Sequence, residues 1–179
     1  MHPRNEIAAG LSLRVRLDPL RVELARPMFD VLADERIYEF ISERPPKSVE
    51  HLEARYEILA TRLSPDATCR WLNWCVFSIK DRRYVGYVQA TVPVQGDSAE
   101  IAYVFSPLFW GQGFAFNAVA VMLSMLARDY GCKHFIAHTE MTNLRSVSLL
   151  RRLGFIRESA AGDPYSEQCF SLTILSAEP

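Results

Sequence analysis

The sequence lacks the features that would mark a membrane, secreted or metal-binding protein. No apolar run approaches the roughly 20 residues that a membrane helix needs, and no apolar signal region follows the first six residues. The four cysteines include no CxxC pair or other metal-ligand spacing, and the four histidines are scattered along the chain. His134 and His138 share one face of a predicted strand, which favours core or cleft residues over a metal pair. We therefore expect a cytoplasmic protein without a metal site.

Neither positive nor negative charge predominates in the sequence. The formal net charge is -1, which argues against a general nucleic-acid binder because such a protein needs a basic surface. The chain has 179 residues, of which 49% are hydrophobic and 23% charged, as in an ordinary globular protein. We expect a single domain over residues 1–179, with residues 1–10 as a flexible N-terminal segment. No nucleic-acid or membrane partner is expected, and a homodimer is left open.

Hydrophobic periodicity predicts a mixed α/β (α+β) fold, a sheet with helices packed on it. The predicted order is strand, two helices, three strands, helix, strand, helix and two strands. The corresponding segments are 11–17, 21–41, 48–63, 74–80, 84–92, 99–105, 114–129, 134–139, 143–153, 155–158 and 168–175. Ser48 is the candidate N-cap of the helix at 48–63, and Gly131 is the candidate C-cap of the helix at 114–129.

Two glycines, Gly111 and Gly113, stand between the strand at 99–105 and the helix at 114–129. Glycines at such a junction let backbone N–H groups turn toward an anion, and the helix start adds unpaired N–H donors and a positive dipole end. This pattern predicts a phosphate site, although a tight connection alone would also explain it. No Gly-Lys-Ser/Thr ending and no third glycine are present, which excludes a P-loop and a dinucleotide-binding fingerprint.

A second pattern follows about 30 residues after the glycine turn, at a spacing typical of a helix, a strand and a second helix. Asn143 and Ser146 open a helix that ends at Gly154 and Phe155. Taken alone, Asn143 is a helix cap and Gly154 a C-terminal cap.

Together, these motifs resemble the GNAT (GCN5-related) N-acetyltransferase superfamily. Its members combine a strand, a Q/R-x-x-G-x-G/A turn, a helix, a second strand and an N-x-x-A/S…G-F helix. Here residues 110–115 match the turn, with Trp110 at the Gln/Arg position. The stretch 100–115 resembles the RimJ/RimL-like branch, and the resemblance extends over residues 11–175. It implies a central mixed, twisted sheet of about six to seven strands flanked by about four helices.

The resemblance also implies an acetyl-CoA-dependent N-acyltransferase that needs no metal. The amides of residues 112–115 would hold the pyrophosphate, and the strand edge at 103–105 would pair with the pantetheine arm, which Asn143 would also bind. A main-chain N–H near Val104 would polarise the acetyl carbonyl. The implied cofactor-binding residues are Tyr103, Val104, Phe105, Gln112, Gly113, Phe114, Ala115 and Asn143. Lys133 or an arginine would bind the 3′-phosphate.

The catalytic groups depart from the usual family pattern. Many relatives place an acidic tyrosine seven residues after the asparagine, where this chain has Leu150. We therefore expect Ser146 to act as the acid, unless the thiolate leaves without one. Glu100 is the first candidate for the base and Glu140 the second.

The acceptor is expected to be a primary amine, either a protein N-terminus or a small molecule. An α-amine, with a pKa of about 7.7–8.0, suits a site without a strong base better than a lysine amine, with a pKa of about 10.4. The acceptor pocket is expected to come from the N-terminal helices and the loop before Trp74. Its expected aromatic residues and glutamates are Tyr38, Phe40, Trp71 and Trp74, with Glu35, Glu39 and Glu43. The alternative function is a non-catalytic acyl-CoA-binding module.

Overall fold

Residues 14–158 and 167–174 are described by a computed structural model. The predicted flexible segment, residues 1–10, and the start of the first predicted strand lie outside these residues. The strands are β1 (Val15–Pro19), β2 (Cys69–Ser78), β3 (Arg83–Pro93), β4 (Ser98–Phe105), β5 (His134–Glu140), β6 (Ile156–Arg157) and β7 (Glu167–Thr173). The α-helices are α1 (Ala25–Leu32), α2 (Val49–Ala60), α3 (Phe114–Tyr130) and α4 (Leu144–Arg152). Short 3₁₀ turns occupy Val22–Leu24, Glu35–Phe40 and Pro107–Phe109.

The described strands form one mixed sheet with the order β1-β2-β3-β4-β5-β7-β6. The β4–β5 pair is parallel, and the other neighbouring pairs are antiparallel. The predicted element order and the mixed α/β fold are therefore confirmed. The parallel pairing joins Ser98–Glu100 only to His134–Ile136, so β4 and β5 separate beyond these residues. We call the resulting gap the β4/β5 notch.

Each face of the sheet packs against different helices because side chains alternate along the strands. On β4, Ile101 and Phe105 join the core beneath α3 and α4, together with Met122 of α3. Val104 points to the opposite face and joins a second core with Met28 of α1. The notch therefore opens between two separately packed layers, which leaves both of its faces lined by protein.

Two segments differ from the sequence prediction. Strand β2 begins at Cys69, so Trp71 lies on a strand instead of in a loop before Trp74. The predicted helical segment at 21–41 contains only the short helix α1, flanked by two 3₁₀ turns. Pro27 does not interrupt α1 because it lies in the first turn, where proline is tolerated.

The predicted helix caps are confirmed. The Ser48 side chain accepts a 3.2 Å hydrogen bond from the His51 N–H, and Gly131 ends α3 in the left-handed region with φ +69°. Across residues 14–158 and 167–174, no helix combines the length and the apolar character needed to span a bilayer.

Candidate active site

A cleft of about 890 Å³ lies at the β4/β5 notch. Its walls are the second halves of β4 and β5, the glycine turn before α3 and the first turn of α4, with the segment around Phe40–Glu43 on the other face. This volume lies in the range of small-molecule sites. The two sequence motifs, about 30 residues apart in the chain, thus contribute to one cavity.

The glycine turn has the geometry of an anion site. Gly111 and Gly113 both have positive φ angles, +72° and +82°, which residues other than glycine rarely adopt. Gly113 is the N-cap of α3, and no side chain caps this helix start. The first N–H groups of a helix of 17 residues therefore face the cleft without a capping partner, at its positive dipole end.

The side chains of this turn stabilise its backbone. Gln112 donates from Nε2 to the Leu108 carbonyl at 2.8 Å, and Asn117 donates from Nδ2 to the Gly113 carbonyl at 2.7 Å. The Gln112 side chain is thus engaged with the turn itself, which leaves its main chain to face an anion.

Trp110 and Arg145 connect the motifs across the mouth of the cleft. The Trp110 indole N–H donates to the Phe105 carbonyl at 2.8 Å, which attaches the turn to the end of β4. The Arg145 guanidinium lies 4.0 Å from the centroid of the Trp110 ring and donates to Glu39 at 3.1 Å. Sequence analysis gave Arg145 no role because these contacts depend on tertiary structure.

Asn143 and Ser146 are held at the start of α4. The Asn143 Oδ1 accepts a 3.2 Å hydrogen bond from the Ser146 N–H, which confirms Asn143 as the cap. The Ser146 hydroxyl lies 2.7 Å from the Tyr103 hydroxyl on β4. Leu150, at the position of the family tyrosine, is fully buried in the core and does not line the cleft.

Tyr103 keeps its proton over the physiological pH range. Burial raises its pKa to about 12, an effect that the hydrogen bond with Ser146 partly opposes. The tyrosine therefore remains able to donate a hydrogen bond, and either hydroxyl can be the donor in its contact with Ser146. The sequence analysis considered only the main chain of Tyr103.

The two carboxylate candidates for the base lie in different positions. Glu140 lines the cleft, and its Oε2 accepts a 3.0 Å hydrogen bond from Thr142. Glu100 is not among the residues that line the cleft, and its Oε1 lies 3.3 Å from Nδ1 of His138. His138 does line the cleft. The sequence placed His134 and His138 on one strand face, but it did not reveal the contact with Glu100.

The cleft contains part of the predicted acceptor pocket. Phe40 and Glu43 line the cleft, and Glu43 is paired with Arg55 through hydrogen bonds of 2.6 and 2.9 Å. The expectation for Trp74 is wrong, because its side chain is buried on the opposite face of the sheet, in the core beneath α3. Trp71 does not line the cleft either.

Arginines, and not Lys133, lie close to the glycine turn. Arg14 has a guanidinium nitrogen 3.5 Å from the place that a Cβ on Gly113 would take, and Arg152 lines the cleft. Lys133 follows the far end of α3, a helix of 17 residues and therefore about 25 Å long. Lys133 is thus far from the turn, and the choice between it and an arginine for the 3′-phosphate stays a prediction. Among the residues with described structure, no group of three or more His, Cys, Asp or Glu side chains is arranged to hold a metal.

Comparison with solved structures gives the same fold at low sequence identity. The spermidine N-acetyltransferase from Vibrio cholerae, in complex with CoA and spermine, has 18% identity and a TM-score of 0.72, covering 89% of this chain and 95% of that one. The structure of RimL, a ribosomal L7/L12 alpha-N-protein acetyltransferase, in complex with coenzyme A has 17% identity and a TM-score of 0.76, with coverage of 92% and 96%. The ribosomal-protein-S5-alanine acetyltransferase from Vibrio fischeri has 17% identity and a TM-score of 0.75, with coverage of 92% and 94%.

A family model matches most of the sequence. No curated protein matches the chain, but the model for the acetyltransferase (GNAT) domain matches residues 14–156. This range includes β4, the glycine turn, and the Asn143 and Ser146 helix start. The chain therefore belongs to the GNAT acetyltransferase family.

Proposed function

We propose that this protein transfers the acetyl group of acetyl-CoA to a primary amine by direct attack, as a RimJ/RimL-like N-acetyltransferase. The observation that carries this proposal is the meeting of the β4/β5 notch, the uncapped start of α3 and the Ser146 hydroxyl in one cleft of about 890 Å³. The similar structures of RimL and of the S5-alanine acetyltransferase support the branch.

The donor would be bound mainly by main chain. The N–H groups of residues 112–115 would hold the pyrophosphate, and the Arg14 guanidinium beside Gly113 would add a positive charge. The β4 edge at 103–105 has no β5 partner, so its free groups would hydrogen-bond the pantetheine arm. With its Oδ1 engaged by the Ser146 N–H, Asn143 would donate to the arm from Nδ2.

The chemistry would take place at the notch. A main-chain N–H near Val104 would stabilise the negative charge that develops on the carbonyl oxygen. The Ser146 hydroxyl would donate to the departing sulfur, and the protonated Tyr103 hydroxyl would donate to Ser146 Oγ and so orient it. No covalent enzyme intermediate is needed, because binding fixes amine and thioester side by side.

For the acceptor, we favour an α-amine or another weakly basic amine. Near neutral pH, a much larger fraction of such an amine than of a lysine amine is unprotonated. A smaller fraction of the acceptor therefore has to lose a proton before it can attack. A spermidine acetyltransferase and ribosomal-protein acetyltransferases are both among the similar structures, so peptides and small polyamines are the classes to test.

A thiol-release assay tests the proposal. Acetyl-CoA would be offered with peptides bearing a free N-terminus, the same peptides blocked at the N-terminus, and small polyamines. We expect free CoA to appear faster with at least one unblocked amine, and mass spectrometry to show its acetylation. If acetyl-CoA binds but no amine accelerates thiol release, the protein is a non-catalytic acyl-CoA-binding module.

A further inference from the structure

We propose that His138 is the general base of the proposed acetyl transfer, and that Glu100 is a positioning residue that holds its imidazole. This inference rests on the proposed function and changes the role that the sequence assigned to Glu100.

The contact comes from the parallel register of β4 and β5. Glu100 pairs with Ile136, the last paired residue before the strands separate, and His138 follows two residues later. Residues two apart share a strand face, so the His138 side chain emerges beside the carboxylate of Glu100 at the start of the notch. Its Nδ1 lies 3.3 Å from Glu100 Oε1.

The two side chains differ in their access to the cleft. His138 lines it, whereas Glu100 does not and is 60% exposed on the outer side of the pair. A carboxylate that accepts a hydrogen bond from Nδ1–H leaves the lone pair of Nε2 available on the other side of the ring. Of these two side chains, His138 is therefore the one in position to meet an acceptor amine.

The face of the sheet also fits this role. Glu100 alternates with Ile101, whose side chain lies in the core beneath α3, so Glu100 and His138 lie on the opposite, Val104 face. The acceptor segment at Phe40–Glu43 packs on this Val104 face as well. Tyr103 alternates with Val104 and therefore lies on the α3 face, where it contacts Ser146. Base and leaving-group hydroxyl would thus act from opposite faces of the thioester.

The surroundings of His138 are acidic. The titratable groups near it on this face include Glu100 on β4, His134 and Glu140 on β5, Glu167 and Cys169 on β7, and Glu158 beside Cys169. Tyr87 and Glu43 line the cleft on the same face. Burial, and then the carboxylates of Glu158 and Glu100, raise the pKa of the Cys169 thiol, so it carries no charge near neutral pH. The carboxylates would stabilise the imidazolium that forms when His138 accepts a proton.

The proton balance of the step is simple. The amine nitrogen attacks the acetyl carbon and forms the amide bond, while its proton moves to Nε2 of His138. The carbon–sulfur bond breaks, and the sulfur leaves as a thiolate with a hydrogen bond from Ser146. His138 then releases its proton to solvent, and the thiolate takes one up from solvent.

The test compares His138→Ala, Glu100→Gln and the matched control His134→Ala. His134 lies on the same face of the same strand, contacts Thr173 and does not line the cleft. For each variant, kcat and KM for the best unblocked peptide or polyamine would be measured between about pH 6 and pH 9, with acetyl-CoA affinity from calorimetry.

We expect His138→Ala to lower kcat/KM for the amine by about 10²-fold near pH 7, mainly through kcat, and by less near pH 9, where more of the amine is neutral. Acetyl-CoA affinity and the His134→Ala variant should stay near wild type. Glu100→Gln should lower kcat by less than His138→Ala does, with little change in acetyl-CoA affinity, because the amide oxygen of glutamine can still accept a hydrogen bond from Nδ1–H.

Three results would overturn the assignment. Wild-type rates for His138→Ala near pH 7 would remove His138 as the base while leaving the acetyltransferase function intact. A greater loss for Glu100→Gln than for His138→Ala would make Glu100 itself the base. Absence of turnover in the wild-type protein with every amine would reject both the base and the proposed function.

Discussion

Two hydroxyl groups from distant parts of the sequence, Tyr103 and Ser146, meet at 2.7 Å in the cleft. Sequence analysis singled out Ser146 because Leu150 replaces the usual tyrosine, and Leu150 is buried in the core. The structure adds Tyr103, which approaches Ser146 from β4. In our proposal the serine donates to the sulfur and the tyrosine orients the serine.

Removal of either hydroxyl should slow the chemical step more than it weakens binding. We expect Ser146→Ala to lower kcat about 10- to 100-fold with little change in KM for acetyl-CoA, and Tyr103→Phe to have a smaller effect. Tyr130→Phe is the matched control, because its hydroxyl contacts Arg62 at the far end of α3. A wild-type kcat in Ser146→Ala would show that the departing sulfur needs no hydrogen bond from Ser146.

Alanine substitutions of the glycines at the two ends of α3 distinguish the effect of backbone strain from the effect on ligand binding. Gly113 has φ +82° and Gly131 has φ +69°, so alanine at either position should destabilise the fold by about 1–2 kcal/mol. Only Gly113→Ala should also weaken acetyl-CoA binding, by about 10-fold (about 1.4 kcal/mol) in a calorimetric titration. Equal affinities in the two variants would contradict a phosphate site at the turn.

At the scale of elements, the position of β4 depends on its contact with β3. A Cβ on Gly86 would overlap the Val104 carbonyl oxygen and lie 2.7 Å from a ring carbon of Phe105. The β2–β3 register also shifts at this level, between Val76 and Phe77, as in a β-bulge. Glycine at position 86 therefore permits the close approach that sets the end of β4 beside the notch.

Gly86→Ala should displace this end of β4. We expect a lower thermal unfolding midpoint and weaker acetyl-CoA binding, because the β4 edge at 103–105 is the proposed partner of the pantetheine arm. Gly96→Ala is the control for the steric effect, since nothing lies within 4 Å of the Cβ that it would add, although its φ of +125° adds a backbone strain that Gly86→Ala does not have. Wild-type affinity in a folded Gly86→Ala variant would contradict the role of the strand edge.

Elements defined by local signals could be predicted from the sequence. The two caps at Ser48 and Gly131 and the glycine turn depend on neighbouring residues, and all three have the expected geometry. The start of β2 at Cys69 was missed because its first residues have little apolar alternation and depend on pairing with β3. The contact between Glu100 and His138 was missed because it requires the parallel register of two strands 38 residues apart.

At the scale of the whole molecule, the fold shields tyrosines from solvent in separate places, with Tyr103 in the cleft and Tyr84 beside Asp18. Burial, and for Tyr84 also the hydrogen bond to Asp18, raises the pKa of Tyr84 and Tyr103 to about 12, above the ordinary value of about 10. The folded protein thus holds these protons more tightly than the unfolded chain does. This contribution to stability is complete below about pH 10 and is lost as the pH rises toward 12.

Alkaline titration tests this coupling. We expect the unfolding midpoint to fall between about pH 10 and pH 12, and part of the tyrosinate absorbance to appear later than in the unfolded chain. Tyr103→Phe should remove one late-titrating group. Titration of every tyrosine near pH 10 in a folded protein would contradict the burial of Tyr84 and Tyr103.

The central claim is that the β4/β5 notch and the uncapped start of α3 form one acetyl-CoA site. The most direct measurement is a calorimetric titration of the purified protein with acetyl-CoA. We predict saturable binding of one acetyl-CoA per chain, with a dissociation constant between about 1 μM and 1 mM, as for an ordinary enzyme substrate. Absence of binding heat, together with an unchanged melting temperature at saturating acetyl-CoA, would contradict the account.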